Sequence, residues 1–157
     1  MIEVLTVDEF VERVGEPEAL QIAGTGGWNS ADGRTLDEPR ILHHIAFAAE
    51  LIAGYCLARH PWLAGLAFSD VPGVIKGLAA DIVRYRLRDK PGGTGQVDDV
   101  VRKNYEDALK RLAEIGAGRL DLAAPAGVAA PAPDGPVGRV STAGADPRTD
   151  RLLEGYR

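Results

Sequence analysis

The sequence predicts an all-α protein, a small four-helix bundle followed by a long extended Ala/Gly/Pro-rich C-terminal arm. Three observations carry that prediction. Apolar residues recur at the three-and-four spacing of a helix in four separate segments. No stretch alternates apolar and polar residues long enough for a convincing strand. Beyond residue 122 the composition shifts abruptly to Ala, Gly and Pro, which cannot bury enough apolar surface to order itself.

The first helix lies in "TVDEFVERVG". Thr6 and Glu9 stand at the spacing of a capping box, Val7, Phe10, Val11 and Val14 share a face, and Gly15 supplies a stop. A glycine-rich loop, "GTGGWNSADGRTLDEPR", follows without periodicity. A second helix is predicted over residues 37–59, with Ile41, Ile45, Ala48, Ile52 and Cys56 on one stripe. Its central run "IAFAAELIAGYCLA" is apolar around much of the circumference, as in a central helix or one shared with a neighbouring subunit. That run is shorter than the roughly 20 residues of a membrane span and contains Glu50. The connector "HPWLAGLAFSDVPG" leads to a third helix, whose first turn accepts Pro72 and which runs to about residue 89 along Val71, Ile75, Leu78, Ile82 and Tyr85 or Arg86. After "KPGGTGQ", a fourth helix spans residues 97–115 with Val97, Val101, Tyr105, Ala108, Leu112 and Ile115 in line. Glu106 with Lys110 and Asp107 with Arg111 stand at the i,i+4 spacing of ion pairs. Two units follow: a helical domain over residues 1–122, and an arm over residues 123–157 that regains apolar character only at its end, in Leu152, Leu153 and Tyr156. Such a cluster at the end of a tether reads as a docking segment.

Composition narrows the function. The net charge of -5 over 157 residues argues against a protein that coats DNA or an anionic membrane. One cysteine excludes an intrachain disulfide and any CxxC pattern. The opening "MIEVLTVDEF" lacks the basic-then-apolar order of a signal peptide, so synthesis in a cytoplasm is expected.

Few residues offer chemistry. The glycine-rich loops "GTGGWNS" and "GGTG" lack the Lys and Ser/Thr of a P-loop, and neither follows a strand. His43, His44 and His60 have no ligand partner at metal-site spacing, "SADGRTLDE" lacks the oxygen spacing of a calcium loop, and Cys56 sits on an apolar stripe. No catalytic residues, metal ligands or cofactor are expected. The remaining candidates are cations. In "LAADIVRYRLRDKPGG", Arg84 and Arg88 share a helix face while Arg86 points about 200° away. Asp81 and Asp89 stand three residues from Arg84 and Arg86, where local ion pairs form. With Arg102 and Lys103, these arginines are candidates for subunit contacts. A DNA-binding surface made of Arg84, Arg88, Arg102 and Lys103 is the alternative.

The segments "GYCLARHPWLAGL", "VPGVIKGLAADIVRYRLRDKPG", "VRKNYEDALKRLAEIGAGRLDL" and "TDRLLEGYR" resemble the Mu-like phage and prophage family of head-tail connector (adaptor) proteins. The most specific part is the pairing of the "DIVRYRL" helix with "YEDALKRLAEIGAGRLDL". The resemblance implies a ring of identical subunits, commonly twelve, beneath the portal protein at the neck of the virion. Such a ring extends the DNA channel, lets the genome pass without sequence-specific binding, and meets the next neck, stopper or tail-completion protein. It also implies that Leu152, Leu153 and Tyr156 anchor the arm on the portal or on a neighbouring subunit. The competing reading is a DNA-binding accessory protein of phage packaging or assembly.

Overall fold

The computed structural model describes residues 2–27, 33–89 and 98–125. Its element order is α1 (Val7–Val14), α2 (Glu16–Ala23), β1 (Gly24–Thr25), β2 (Thr35–Leu36), α3 (Glu38–Cys56), two short 3-10 turns (Pro61–Gly65 and Phe68–Asp70), α4 (Gly73–Arg88) and α5 (Asp99–Gly116). The fold is all-α, with five helices among the described residues where four are predicted. The arm, with Leu152, Leu153 and Tyr156, lies outside the described residues beyond position 125, and so do Val97 and the "KPGGTGQ" break.

The unpredicted element is α2. Gly15 ends α1 at φ 90°, a conformation that costs glycine little, and the chain restarts as a helix at the next residue. The start signals are Pro17 in the first turn and the acids Glu16 and Glu18 at the positive end of the helix dipole. At its other end, the guanidinium of Arg34 donates to the Leu20 carbonyl at 3.1 Å and to the Gly24 carbonyl at 2.6 Å. Those bonds satisfy two acceptors that a helix terminus leaves open. Gly24 pairs with Leu36 and Thr25 with Thr35, which closes the loop into a two-residue antiparallel ladder and sets the entry into α3.

Three caps fall where the sequence places helix starts. Thr6 Oγ1 accepts from the Glu9 amide at 3.2 Å, Asp37 Oδ1 from the Arg40 amide at 3.1 Å, and Asp98 Oδ1 from the Val100 amide at 3.0 Å. The Thr6 box is half made, because the Glu9 carboxylate turns away to accept from Lys76 Nζ at 2.9 Å. Helix α3 ends at Cys56 rather than at residue 59, and the following turn is held by His60 N donating to the Cys56 carbonyl at 2.7 Å.

Helices α3, α4 and α5 form the packing centre, and α1 and α2 lie against α3 and α4. Most of the predicted stripe residues of α3, α4 and α5 are buried, while Tyr85, Arg86 and Tyr105 are half-buried. Ile41, Ile45, Ala48, Ile52 and Cys56 of α3, Ile75, Leu78 and Ile82 of α4, and Val101, Ala108, Leu112 and Ile115 of α5 are all in the interior, with Phe10 of α1 fully covered. Arg40 Nη2 donates to the Leu87 carbonyl at 3.2 Å, which ties the start of α3 to the end of α4 and makes those helices antiparallel neighbours. Tyr85 of α4 stacks on Tyr105 of α5 at 4.2 Å between centroids and 8° between planes.

Candidate functional site

The alternating arginines of α4 resolve into two separate arrangements. On one side, Glu18 of α2 receives both Arg84 and Arg88. Arg84 Nε and Nη2 donate to the two carboxylate oxygens at 2.6 and 2.7 Å, a bidentate fork, and Arg88 Nη2 donates to Oε1. All three side chains are about three-quarters covered, at 21% exposure for Glu18, 27% for Arg84 and 23% for Arg88. Burial alone would push the Glu18 carboxyl up, but the hydrogen bonds and charges of Arg84 and Arg88 outweigh it and hold the group below its ordinary value. The Glu18 hydrogen bonds in turn raise Arg84.

This triad replaces the local pairs that the sequence suggests. Asp81 does not come within ion-pair distance of Arg84; it borders a small polar cleft between α4 and α5 with Asn104, Asp107 and Arg111, where burial pushes its carboxyl up. The physical reason is geometric. A carboxylate on a separate helix presents both oxygens to the guanidinium fork, which an i,i+3 neighbour on the same helix does less well. The i,i+4 pairs Glu106 with Lys110 and Asp107 with Arg111 also do not close to ion-pair distance, and α5 carries Arg102 to Asp99 at 2.7 Å instead.

On the other side of α4, Arg86 lies over the Phe47 ring of α3, 4.1 Å from its centroid. His44 is half-buried beside it, and burial, then the charges of His43, Arg40 and Arg86, hold its imidazole below the ordinary value. Arg40 and Arg86 therefore place two guanidiniums around His44 at the joint of α3 and α4. Arg102 and Lys103 are exposed at the start of α5. The five cations singled out from the sequence thus split three ways: Arg84 with Arg88 on Glu18, Arg86 on Phe47, and Arg102 with Lys103 on α5.

The nucleophile and ligand candidates are placed in the interior or at its edge. Cys56 is fully buried, and burial pushes its thiol up to about 11, so it stays protonated and unreactive near neutral pH. His60 is buried against Trp62, rings 5.8 Å apart and edge to face, and neither ring nitrogen has a hydrogen-bond partner. Burial, then the Arg59 charge, keeps that imidazole neutral by lowering it, against a smaller opposing effect of Asp121. Among the described residues, no three His, Cys, Asp or Glu side chains gather as a metal site. No helix among them is long and apolar enough to cross a membrane.

The residues that organise this surface and escape a reading of the sequence are Glu18, Glu9, Lys76, Arg40 and Phe47. Lys76 is buried, paired to Glu9 and set 3.9 Å above the Phe68 ring. The only local signal for Glu18 is its place in the first turn after a Gly-Glu-Pro break. Its partners lie 66 and 70 residues away in the chain.

The model of one protein family, described as Bacteriophage Mu, Gp36, matches residues 5–140. The chain belongs to that Mu-like phage protein family. The match begins one residue before the Thr6 cap, covers every helix, and continues past the last described residue into the arm. Membership points to a phage structural or assembly protein, in line with the resemblance carried by "DIVRYRL" and "YEDALKRLAEIGAGRLDL". Among the curated proteins, none matches the chain.

Proposed function

We propose that the chain is a head-tail connector (adaptor) subunit of a tailed phage or phage-like particle, structural rather than catalytic. About twelve copies form a ring beneath the portal protein, extend the DNA channel, and present a surface to the next neck, stopper or tail-completion protein. The observation that carries this reading is membership of the Mu-like phage family over residues 5–140, which takes in the helical domain and the first part of the arm together. The net charge of -5 supports it, because a channel that lets DNA slide must not hold phosphates strongly. So does the sealed state of the chemically active groups, with Cys56 and His60 in the interior. The subunit works as a rigid spacer, and its location is the virion neck.

Arg86 on the Phe47 ring, Arg102 beside Asp99, and Lys103 lie outside the Glu18 triad and are the cations that face a neighbour or the channel rim. Arg84 and Arg88 act there only through the Glu18 triad, which fixes α2 against α4. The DNA-binding alternative, built on Arg84, Arg88, Arg102 and Lys103, has three of its four cations bound to a carboxylate, two on Glu18 and Arg102 on Asp99, and is not favoured. The deciding experiment is the solution mass of the full chain, alone and mixed with its candidate portal ring, by light scattering after size exclusion. A discrete large complex that is lost when residues 123–157 are removed supports the connector reading and puts the anchor in the arm. A chain indifferent to the portal, with DNA affinity that falls steeply with salt, overturns it.

A further inference from the structure

One groove with a largely apolar lining opens at the surface of the described residues. The N-terminal segment before α1 runs beside α3 and leaves a groove of about 330 Å³ between them. Ile2 and Val4 line it from one side, Leu42, Ala46 and Ala49 from α3, and Phe68 closes one end. Leu42 is 51% exposed at its lip.

We propose that this groove is covered in the free subunit by the C-terminal end of the same chain, residues 148–157. Chain length permits it. From residue 126 to residue 150 there are twenty-five residues, which reach on the order of 80 Å when extended. A domain of this size has a radius of gyration of only about 13 Å, so the tether spans any route across its own surface. Sequence favours it as well. The tether is made largely of Ala, Gly and Pro with few large apolar groups, whereas Leu152, Leu153 and Tyr156 crowd into its last six residues. No proline follows Pro147, and residues 152, 153 and 156 stand at i, i+1 and i+4, the spacing found in short segments that fill apolar grooves. Tethering favours the chain's own segment over another copy's, because a linker of this length holds it at an effective concentration on the order of millimolar. The inference goes beyond the connector reading: it concerns the isolated subunit before any partner is met, and its test contains no portal.

Disulfide trapping tests it, helped by the buried, unreactive native thiol of Cys56. The pair Leu42→Cys with Leu153→Cys, oxidised mildly in the dilute full-length protein, is expected to close within one chain at least tenfold faster than the pair Val100→Cys with Leu153→Cys. Val100 is 61% exposed at the start of α5, outside the groove. Equal rates for the two pairs overturn the proposal, and so does a disulfide that forms only between chains in proportion to concentration. A second measurement does not depend on the cysteine variants: a chain ending at residue 147 is expected to bind an apolar fluorescent dye several-fold more than the full chain, and the added Leu42→Glu change to abolish the excess. No gain of dye binding on truncation overturns the proposal equally.

Discussion

Replacing Glu18 with glutamine tests the account of the arginines directly, because it keeps the side chain's size and removes its charge. Helix α2 is eight residues long and buries only Ala19, Ile22 and Ala23, so its own apolar contribution to docking is small. Glu18 supplies the rest by accepting three charge-assisted hydrogen bonds from Arg84 and Arg88. An exposed ion pair contributes about 0–1 kcal/mol, and breaking a buried one costs about 3–5 kcal/mol. Side chains that are roughly three-quarters covered fall between these limits, which gives about 2–3 kcal/mol for Glu18→Gln. Two guanidiniums are left partly buried without their anion, and that residue of charge is what raises the cost above the value for a surface pair. For an ordered region of about a hundred residues, the corresponding drop in Tm is on the order of 8–15 °C. Urea and thermal unfolding followed by circular dichroism read both quantities. A double-mutant cycle with Arg84→Ala isolates the coupling, expected at more than about 1 kcal/mol. A Glu18→Gln variant within about 0.5 kcal/mol of the parent would show the triad to be solvent-screened. The arginines would then be free for a neighbour, and Glu18 would no longer count as the residue that fixes α2 against α4.

Three further outcomes follow from the same structure. Gly24→Ala is expected to cost about 1–3 kcal/mol in urea unfolding, because a Cβ at that position overlaps the Leu20 carbonyl oxygen and displaces the Arg34 guanidinium that caps α2. Leu112→Ala, which truncates a fully buried side chain of α5, is expected to cost about 2–5 kcal/mol in the same assay, with the spread set by how far the neighbours close the cavity. Stability should fall on the acid side in two steps. The imidazoles of His60 and His44 sit below their ordinary 6.5 in the folded chain, so the unfolded chain takes up protons first and stability declines as pH drops below about 6.5. Glu18 is held below its ordinary 4.5, so its contribution is full above that pH and is lost as pH falls further. Unfolding midpoints measured from pH 8 to pH 3 check both, and Glu18→Gln should flatten the lower step only.

The helical framework was legible because its signals are local. A stripe such as Ile41, Ile45, Ala48, Ile52 and Cys56 needs only the helix period to be read, and Thr6 marks a start through a bond made within three residues, whereas the caps Asp37 and Asp98 went unread. Helix α2 was hidden by its own start signal. Gly15 reads as a stop for α1, and the eight residues after it are too few to show a convincing apolar period, so only Pro17 and the flanking acids announced a second helix. The β1 and β2 pair is two residues deep and owes its existence to the Gly24 and Arg34 contacts rather than to any alternating pattern.

The arginines show where local reading stops. From the sequence, Asp81 and Asp89 are the nearest acids to Arg84 and Arg86, and proximity in the chain suggests that they pair. In the folded chain, partners are chosen by geometry: a carboxylate brought in from α2 meets the guanidinium fork of Arg84 with both oxygens and still reaches Arg88, while Arg86, on the opposite face, finds the Phe47 ring. The same rule explains Glu9, which leaves its capping box half made in order to neutralise the buried ammonium of Lys76. An unpaired ammonium in the interior costs more than the one backbone bond that Glu9 gives up. In both cases the acid comes from the N-terminal pair of helices and the cation from α4. Helices α1 and α2 are therefore held to the three-helix core by charge as well as by apolar contact. It follows that high salt should loosen α1 and α2 before α3, α4 and α5, to the extent that solvent reaches the three ion pairs of Glu9 and Glu18. Hydrogen exchange at rising salt, resolved by helix, would show amides of residues 7–23 losing protection ahead of those in α4, and a uniform loss across all five helices would contradict this division.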